Sequence, residues 1–274
     1  MNIKSIITLM ACSLPFGLKA QQHQLIKLWQ TDTVVAIPES ILPDFKKNIL
    51  YVSLIDGGGW DVDGKGGVGI LQADGKNYNP TWITGLNAPK GLGRVGDKLY
   101  AADISEVVVI DIKKGVVDKK IKIDSAKGLN DITVDYKGAV YVSDSKTGKI
   151  YKIENDVPAL YMDNMKGVNG LKCIGEDLYI LANKAVLKAD AQKNIKKLTD
   201  FNGGDGIEPV GNGDFIITEW AGVIYYVYAD GNKEVLLDTR AEKKNTADIG
   251  FDPAKKILYV PTFNGKIVAA YQLK

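Results

Sequence analysis

The sequence contains very little histidine and cysteine. Its only histidine, His23, lies at the start of the predicted mature chain, which argues against a Ser-His-Asp or Cys-His catalytic group, and a single histidine excludes a histidine-rich zinc site. The two cysteines are Cys12 and Cys173. If Cys12 leaves with an N-terminal signal, Cys173 remains alone and no intrachain disulfide can form. Carboxylates are therefore the candidates for an acid–base catalyst in this chain.

The N-terminal segment differs from the rest of the chain. Lys4 precedes an apolar run, Ile6–Leu18, and the small residue Ala20 follows it. This pattern predicts a signal peptide at residues 1–20 and an exported mature protein, periplasmic or secreted, from residue 21. The run is too short to span a membrane. A lipoprotein anchored at Cys12 is the alternative, because the residues before it resemble a lipobox.

The predicted mature chain has no excess of either charge. Removing residues 1–20 takes away Lys4 and Lys19 and leaves 33 basic against 33 acidic residues. Without a basic run there is no electrostatic signature of nucleic-acid or anionic-membrane binding. We therefore expect a monomer whose partner is a small molecule.

An internal repeat organises residues 21–274. A short alternating strand with a central aromatic recurs six times at intervals of 36–49 residues, and turns and Gly-led strands follow most copies. The anchors are Tyr51, Tyr100, Tyr141, Tyr179, Phe215 and Tyr259. This period is typical of propeller blades, and no convincing amphipathic helix is present. The pattern predicts an all-β, single-domain, six-bladed β-propeller.

Two segments do not follow the repeat. The sixth copy lacks one strand, and we expect the strand-like segment Leu25–Val35 to supply it and close the ring. A Gly-rich stretch, Asp56–Gly67, lengthens the first interval. We interpret it as a flexible insertion between strands. Calcium binding by Asp61 and Asp63 is the alternative, although the closing Glu of an EF-hand is missing.

Polar residues recur about ten positions before the anchors, where inner strands of a propeller approach the axis. They are Glu39, Lys90, Asn130, Asp131, Asn169, Asp205 and Asp248. The alternative is that these residues are polar only because strand ends that face solvent are often polar. Trp220, just after the fifth anchor, either stacks on a sugar at the mouth of the axis or packs between blades.

Three phrases resemble successive blades of the gluconolactonase / senescence marker protein (regucalcin) family. They are Leu129–Asp135 with Val140–Asp144, then Val168–Leu171, then Asp205–Glu208. The resemblance implies that Glu39, Asn169 and Asp205 bind one divalent cation with Asn130 beside it. An all-oxygen set with two carboxylates suits Ca²⁺, Mg²⁺ or Mn²⁺ better than zinc.

The resemblance implies a metal-dependent hydrolase of a lactone or related ester, with Asp205 as the catalytic base. Lys90, Asn130, Asp131, Trp220 and Asp248 are the candidate substrate-binding residues. Members acting on sugar lactones often carry an Arg where this chain has Gly128, which puts a sugar lactone in doubt; Lys90 is a substitute charge. The alternative is a non-catalytic, NHL-like propeller that binds a ligand or protein partner, since the fold hosts both.

Overall fold

The computed structural model describes residues 23–32 and 34–274. This part of the chain is nearly all β, and its strands form six four-stranded antiparallel sheets, the blades of a propeller. The predicted fold is confirmed. The predicted signal peptide and Cys12 lie outside the described residues. Within the described residues, no helix has the length and apolar character needed to cross a membrane.

The blades follow one another along the chain. Blade 1 contains β2 (Pro38–Asp44), β3 (Ile49–Leu54), β4 (Gly66–Gln72) and β5 (Asn79–Leu86), and blade 2 contains β6 (Pro89–Val95), β7 (Lys98–Asp103), β8 (Glu106–Asp111) and β9 (Val116–Lys122). Blade 3 contains β10 (Leu129–Val134), β11 (Val140–Asp144), β12 (Lys149–Glu154) and β13 (Val157–Met162), and blade 4 contains β14 (Leu171–Ile174), β15 (Asp177–Ala182), β16 (Ala185–Ala189) and β17 (Ile195–Asp200). Blade 5 contains β18 (Gly204–Gly211), β19 (Asp214–Glu219), β20 (Val223–Val227) and β21 (Lys233–Asp238). Blade 6 contains β22 (Gly250–Asp252), β23 (Ile257–Thr262), β24 (Ile267–Leu273) and, from the other end of the chain, β1 (Leu25–Gln30).

The six aromatic anchors lie on the second strand of each blade, where they pack against the neighbouring blade. Tyr51 of blade 1 is fully buried in a cluster that includes Leu92 and Leu99 of blade 2. Tyr179 of blade 4 packs on Phe215 of blade 5, with ring centroids 4.8 Å apart. The apolar face of each sheet is thus buried against the next sheet, and the core lies between blades.

The first described strand closes the ring. β1 pairs antiparallel with β24 at the outer edge of blade 6, with Leu25 opposite Leu273. The strand ends at Gln30, earlier than the predicted Val35, but the Thr31 amide still donates to Val268 O at 2.9 Å. Pairing removes the exposed edge that β24 would otherwise present.

Trp29 anchors this closing strand, and its removal is expected to destabilise the ring. Trp29 is partly buried against the blade 6–blade 1 core, 6.2 Å from the Tyr259 ring. We expect Trp29→Ala to cost about 2–4 kcal/mol, or roughly 2–4 °C in Tm for each kcal/mol. Thermal unfolding followed by circular dichroism measures this. Leu28→Ala is the matched control, because Leu28 is exposed on the same strand; equal losses in both variants would contradict the docking described.

Glycines allow the inner strands of adjacent blades to approach closely. A methyl group on Gly91 of β6 would lie 2.5 Å from Asp131 Cα and 2.5 Å from Ile132 N of β10. A methyl group on Gly206 would similarly lie 2.6 Å from Ile249 N. Such distances are shorter than any real Cβ contact with backbone. Glycine at these positions therefore sets the spacing of the blades around the axis.

Candidate active site at the propeller axis

The inner strands bring the predicted polar residues to the axis. Glu39, Lys90, Asn130, Asp131 and Asp205 lie in the inner strands β2, β6, β10 and β18, and all five are buried. Asn169 and Asp248 lie just before β14 and β22 and are half-buried. The inner strands of blades 6 and 1 meet directly, because the Asp248 amide donates to Glu39 O at 2.9 Å. Residues from all six blades therefore contribute to one region.

The candidate metal ligands are held by a small number of hydrogen bonds. Asn169 Nδ2 donates to Asp205 Oδ1 at 2.8 Å, which joins blades 4 and 5. Asn130 Nδ2 donates to Ser145 Oγ at 2.9 Å, and that hydroxyl donates to Val168 O at 2.6 Å. Because both amides donate through nitrogen to protein partners, both amide oxygens remain available as acceptors.

Two oxygens at this place are buried without a donor. Glu39 Oε2 and Asn169 Oδ1 have no hydrogen-bond partner among the described residues. A buried acceptor left unpaired costs on the order of 1–3 kcal/mol, so such atoms in folded proteins usually face a ligand, ion or water. Oxygen donors from a carboxylate and an amide, beside the second carboxylate of Asp205, fit a hard divalent cation.

The fit depends on asparagine rather than on a cluster of acids. Among residues 23–32 and 34–274, no group of three or more His, Cys, Asp and Glu side chains is placed to hold a metal. A cation at the axis would thus have two protein carboxylates, Glu39 and Asp205, and amide oxygens for its remaining protein ligands. With so few protein ligands, coordination positions would remain for water or substrate.

Burial dominates the electrostatics of the site. It raises the pKa of Asp205 to about 7, against the opposing effects of the Lys90 charge and the Asn169 hydrogen bond. It also raises the pKa of Glu39, which Lys90 opposes and the neighbouring Asp205 reinforces. Burial lowers the pKa of Lys90, while Glu39 and Asp205 act to raise it. The two carboxylates and the ammonium group are therefore electrostatically coupled.

Asp131 and Asp248 lie within electrostatic reach of Glu39 and Asp205 but have hydrogen-bond donors of their own. Asp131 accepts from the amides of Ile132 and Leu171, both at 2.6 Å, and Asp248 accepts from Ser40 Oγ at 2.5 Å. Both acids line a cavity of about 200 Å³ that Glu39 and Asp205 do not line. An aliphatic residue of each blade also lines it: Ile41, Leu92, Ile132, Leu171, Ile207 and Ile249. Their hydrogen bonds indicate a structural role for these two acids.

An ion pair in this cavity was missed by the sequence reasoning. Lys172 Nζ lies 2.7 Å from Glu208 Oε2, joining blades 4 and 5. The signal was available, because Lys172 and Glu208 each follow a site residue, Asn169 and Asp205, by three positions. Residues at equivalent positions on adjacent blades lie side by side, so opposite charges at such positions form an ion pair.

Trp60 and Lys146 were also missed. Trp60 lies in the insertion between β3 and β4, and its ring centroid is 4.4 Å from Lys90 Nζ and 4.6 Å from Lys146 Nζ. A methyl group on Gly128 would lie 3.0 Å from the Trp60 ring, so the insertion reaches from blade 1 to blade 3. The distance in sequence between Trp60 and its partners gave no local signal for this contact.

Trp220 and the acids of the insertion have simpler surroundings. Trp220 is half exposed and meets Phe263 edge-on, with centroids 5.9 Å apart. Asp63 accepts from the Lys65 amide at 3.1 Å and pairs with its ammonium group at 3.2 Å. Among the described residues, no third His, Cys, Asp or Glu side chain is placed to hold a metal with Asp61 and Asp63, so calcium binding there gains no support.

The buried acids predict an unusual dependence of stability on pH. Burial raises the pKa of Asp205 to about 7 and that of Asp248 to about 8, whereas unfolded Asp titrates near 4. Between about pH 4 and pH 8 the folded state therefore binds more protons than the unfolded state, so the free energy of unfolding falls as pH rises.

We expect the metal-free protein to have a lower Tm at pH 8 than at pH 5. Scanning calorimetry in chelator measures the difference, and Asp248→Asn should reduce it because one of the buried acids is removed. Divalent cation should restore much of the Tm at pH 8, since it compensates the charge of Glu39 and Asp205. A Tm that rises from pH 5 to pH 8 without metal would contradict the assignment.

Comparisons with known proteins support the fold but do not assign the chain to a family. No protein-family model matches the chain, and no curated protein sequence matches it significantly. Similar solved structures include a streptogramin B lyase, with TM-score 0.64, 13% identity and coverage of 92% of this chain and 98% of that one. A luciferin-regenerating enzyme has TM-score 0.63 and 13% identity over 87% of this chain and 92% of that one.

A binding protein shares the fold as well. An auxiliary nutrient-binding protein from Bacteroides thetaiotaomicron has TM-score 0.67 and 11% identity over 93% of this chain and 77% of that one. At these identities the likeness shows the fold alone, and the fold is shared by enzymes and by a binding protein. The chain is thus a six-bladed β-propeller protein, and these comparisons do not assign its function.

Proposed function

We propose that the protein is a metal-dependent hydrolase of a lactone or related ester, acting at the propeller axis. The observation that carries this proposal is the pair of buried, unpartnered oxygens, Glu39 Oε2 and Asn169 Oδ1, beside Asp205. Glu39, Asn169 and Asp205 would hold one Ca²⁺, Mg²⁺ or Mn²⁺ ion, with Asn130 as a fourth or supporting ligand. When bound, the ion would polarise the substrate carbonyl.

Asp205 is the proposed base. Its Oδ1 accepts the Asn169 hydrogen bond, which leaves Oδ2 to take a proton from the attacking water. Water adds to the lactone carbonyl, the ring C–O bond breaks, and the proton held by Asp205 passes to the departing alkoxide. The product is the open-chain hydroxy acid. Burial raises the pKa of Asp205 to about 7 in the metal-free site, and a bound cation would lower that pKa and keep Asp205 ionised, as a general base requires.

Metal removal tests the proposal. We expect purified protein to retain a stoichiometric divalent ion, and a thorough chelator treatment to abolish hydrolysis of a panel of lactones and esters. Adding Ca²⁺, Mg²⁺ or Mn²⁺ back should restore activity and raise Tm. Metal content is measured by plasma mass spectrometry and hydrolysis by acid release. Hydrolysis that survives chelation would overturn the metal-dependent mechanism.

A ligand-binding protein without catalysis is the second candidate. Lys90 favours it, because its ammonium charge acts on Glu39 and Asp205 and partly offsets their charge without a metal. The similar fold of a nutrient-binding protein also supports it. Protein that contains no divalent ion, hydrolyses nothing in the panel and still binds a small molecule would favour this candidate.

A further inference from the structure

A pair of lysines meets at one tryptophan beside the proposed site. Lys90 Nζ lies 4.4 Å and Lys146 Nζ 4.6 Å from the centroid of the Trp60 ring. They come from blades 2 and 3, and the ring comes from the insertion of blade 1. Residues of three blades thus place two lysine ammonium groups next to one tryptophan ring.

Neither ammonium group forms a direct ion pair, although the Lys90 charge acts on Glu39 and Asp205. Within the described residues neither Lys90 nor Lys146 forms a side-chain hydrogen bond or an ion pair within 4 Å, although eighteen ion pairs are formed elsewhere. Lys146 is exposed to water, but Lys90 is only 3% exposed. Since neither ammonium group donates a hydrogen bond to a described residue, both remain able to donate to an anionic ligand.

The charges around the proposed site point to the kind of ligand. A divalent ion would neutralise Glu39 and Asp205 together, and Lys90 and Lys146 would then leave the site with a positive charge. A lysine ammonium group is a point charge that binds carboxylate or phosphate, and a tryptophan ring offers an apolar surface to the substrate skeleton.

We propose that the substrate carries an anionic group, a carboxylate or a phosphate, that binds between Lys90 and Lys146 against Trp60. This inference rests on the proposed hydrolase function, because it places the anionic group of the substrate beside the reacting carbonyl. It names the substrate class as an acidic lactone or ester. The two lysines act in substrate binding and have no part in proton transfer.

The first experiment compares matched substrates. The metal-loaded protein and its variants are assayed with three substrates. These are a neutral aldonolactone, an aldarolactone with a free carboxylate and a phosphorylated aldonolactone. Lys146→Met is expected to raise KM for the acidic substrate about fivefold, with little change for the neutral lactone, and Lys90→Met is expected to raise KM for the acidic substrate at least about tenfold. Lys196→Met, at an exposed lysine of β17, is the matched control and should change neither.

Which acidic substrate responds identifies the anion. If only the aldarolactone loses affinity in the variants, the site binds carboxylate, and if only the phosphorylated lactone does, it binds phosphate. Equal KM changes for neutral and acidic substrates in Lys146→Met would overturn the proposal while leaving the hydrolase intact. So would a preference for the neutral lactone in the unsubstituted protein.

A second measurement does not depend on catalysis. Calorimetric titration with an open-chain aldarate and with inorganic phosphate tests binding to the metal-loaded protein. Binding that weakens in Lys146→Glu and not in Lys196→Met would support the anion site even if no lactone is hydrolysed, and the hydrolase function would then fail alone. If neither anion binds and no acidic lactone is preferred, the anion site is wrong.

Discussion

Replacing Asp205 by asparagine is expected to lower kcat/KM for lactone hydrolysis by at least about 10²-fold. The substitution removes the proposed base and one of two carboxylates that would hold the cation. Asparagine still fits the buried position, since the side chain is nearly the same size and burial already disfavours the charge of Asp205. The protein should therefore remain folded, with reduced metal content.

Asp248→Asn is the matched control for this experiment. Asp248 is a half-buried aspartate with a similarly raised pKa, about 8, but it accepts a hydrogen bond from Ser40 and lines the cavity that Asp205 does not line. We expect a much smaller change in kcat/KM. Kinetics, metal content and circular dichroism are measured on both variants. Full activity in Asp205→Asn, or equal losses in the two variants, would remove Asp205 from the catalytic role.

Gly91→Ala is expected to destabilise the propeller by at least about 3 kcal/mol. The new methyl group would lie 2.5 Å from Asp131 Cα, 2.5 Å from Ile132 N and 2.7 Å from Asn130 O. All three atoms are backbone, so no side-chain rotation relieves the contact and blades 2 and 3 must separate. For a protein of this size the loss corresponds to about 6 °C or more in Tm.

The control for Gly91→Ala is Gly59→Ala in the insertion. A methyl group there would meet only Phe263 Cζ, at 3.9 Å, an ordinary van der Waals distance. Its effect on Tm should be close to zero. Thermal and urea unfolding of both variants measure the difference. A Tm for Gly91→Ala within 2 °C of the parent, about the effect of 0.5–1 kcal/mol, would show that the inner strands are not packed as closely as described.

The blades were predictable from the sequence because they repeat. Six aromatic anchors at nearly regular intervals fixed the second strand of each blade, and the missing strand of the sixth copy pointed to the closing segment. The polar residues near the axis followed from the same register. Glu39, Asn169 and Asp205 were singled out among them by the resemblance to the gluconolactonase family, because position in the blade alone does not distinguish them from Lys90 or Asp248.

Contacts made by the irregular parts were not predictable. Trp60 lies in an insertion without a counterpart in the other blades, so no repeat register fixed its position over Lys90 and Lys146. The pattern of polar residues likewise does not show that adjacent inner strands approach closely at Gly91 and Gly206, because a glycine contact leaves no polar signal.

The pairing of β1 with β24 has a consequence for how the protein folds. Blades 1 to 5 are built from strands consecutive in the chain, so each can form from local hairpins soon after synthesis. Blade 6 must wait for β24 and then recruit β1, the most distant pairing in the described chain, and such long-range closure is slow.

The seam between blades 6 and 1 joins Asp248 to the Glu39 backbone, so the axial region is also completed in that last step. Until then an open arc of blades exposes the edge of β24 and the apolar faces of blades 6 and 1, which makes the late intermediate the species most prone to aggregate. Refolding yield should consequently be limited by ring closure, and by the concentration at which open arcs meet one another.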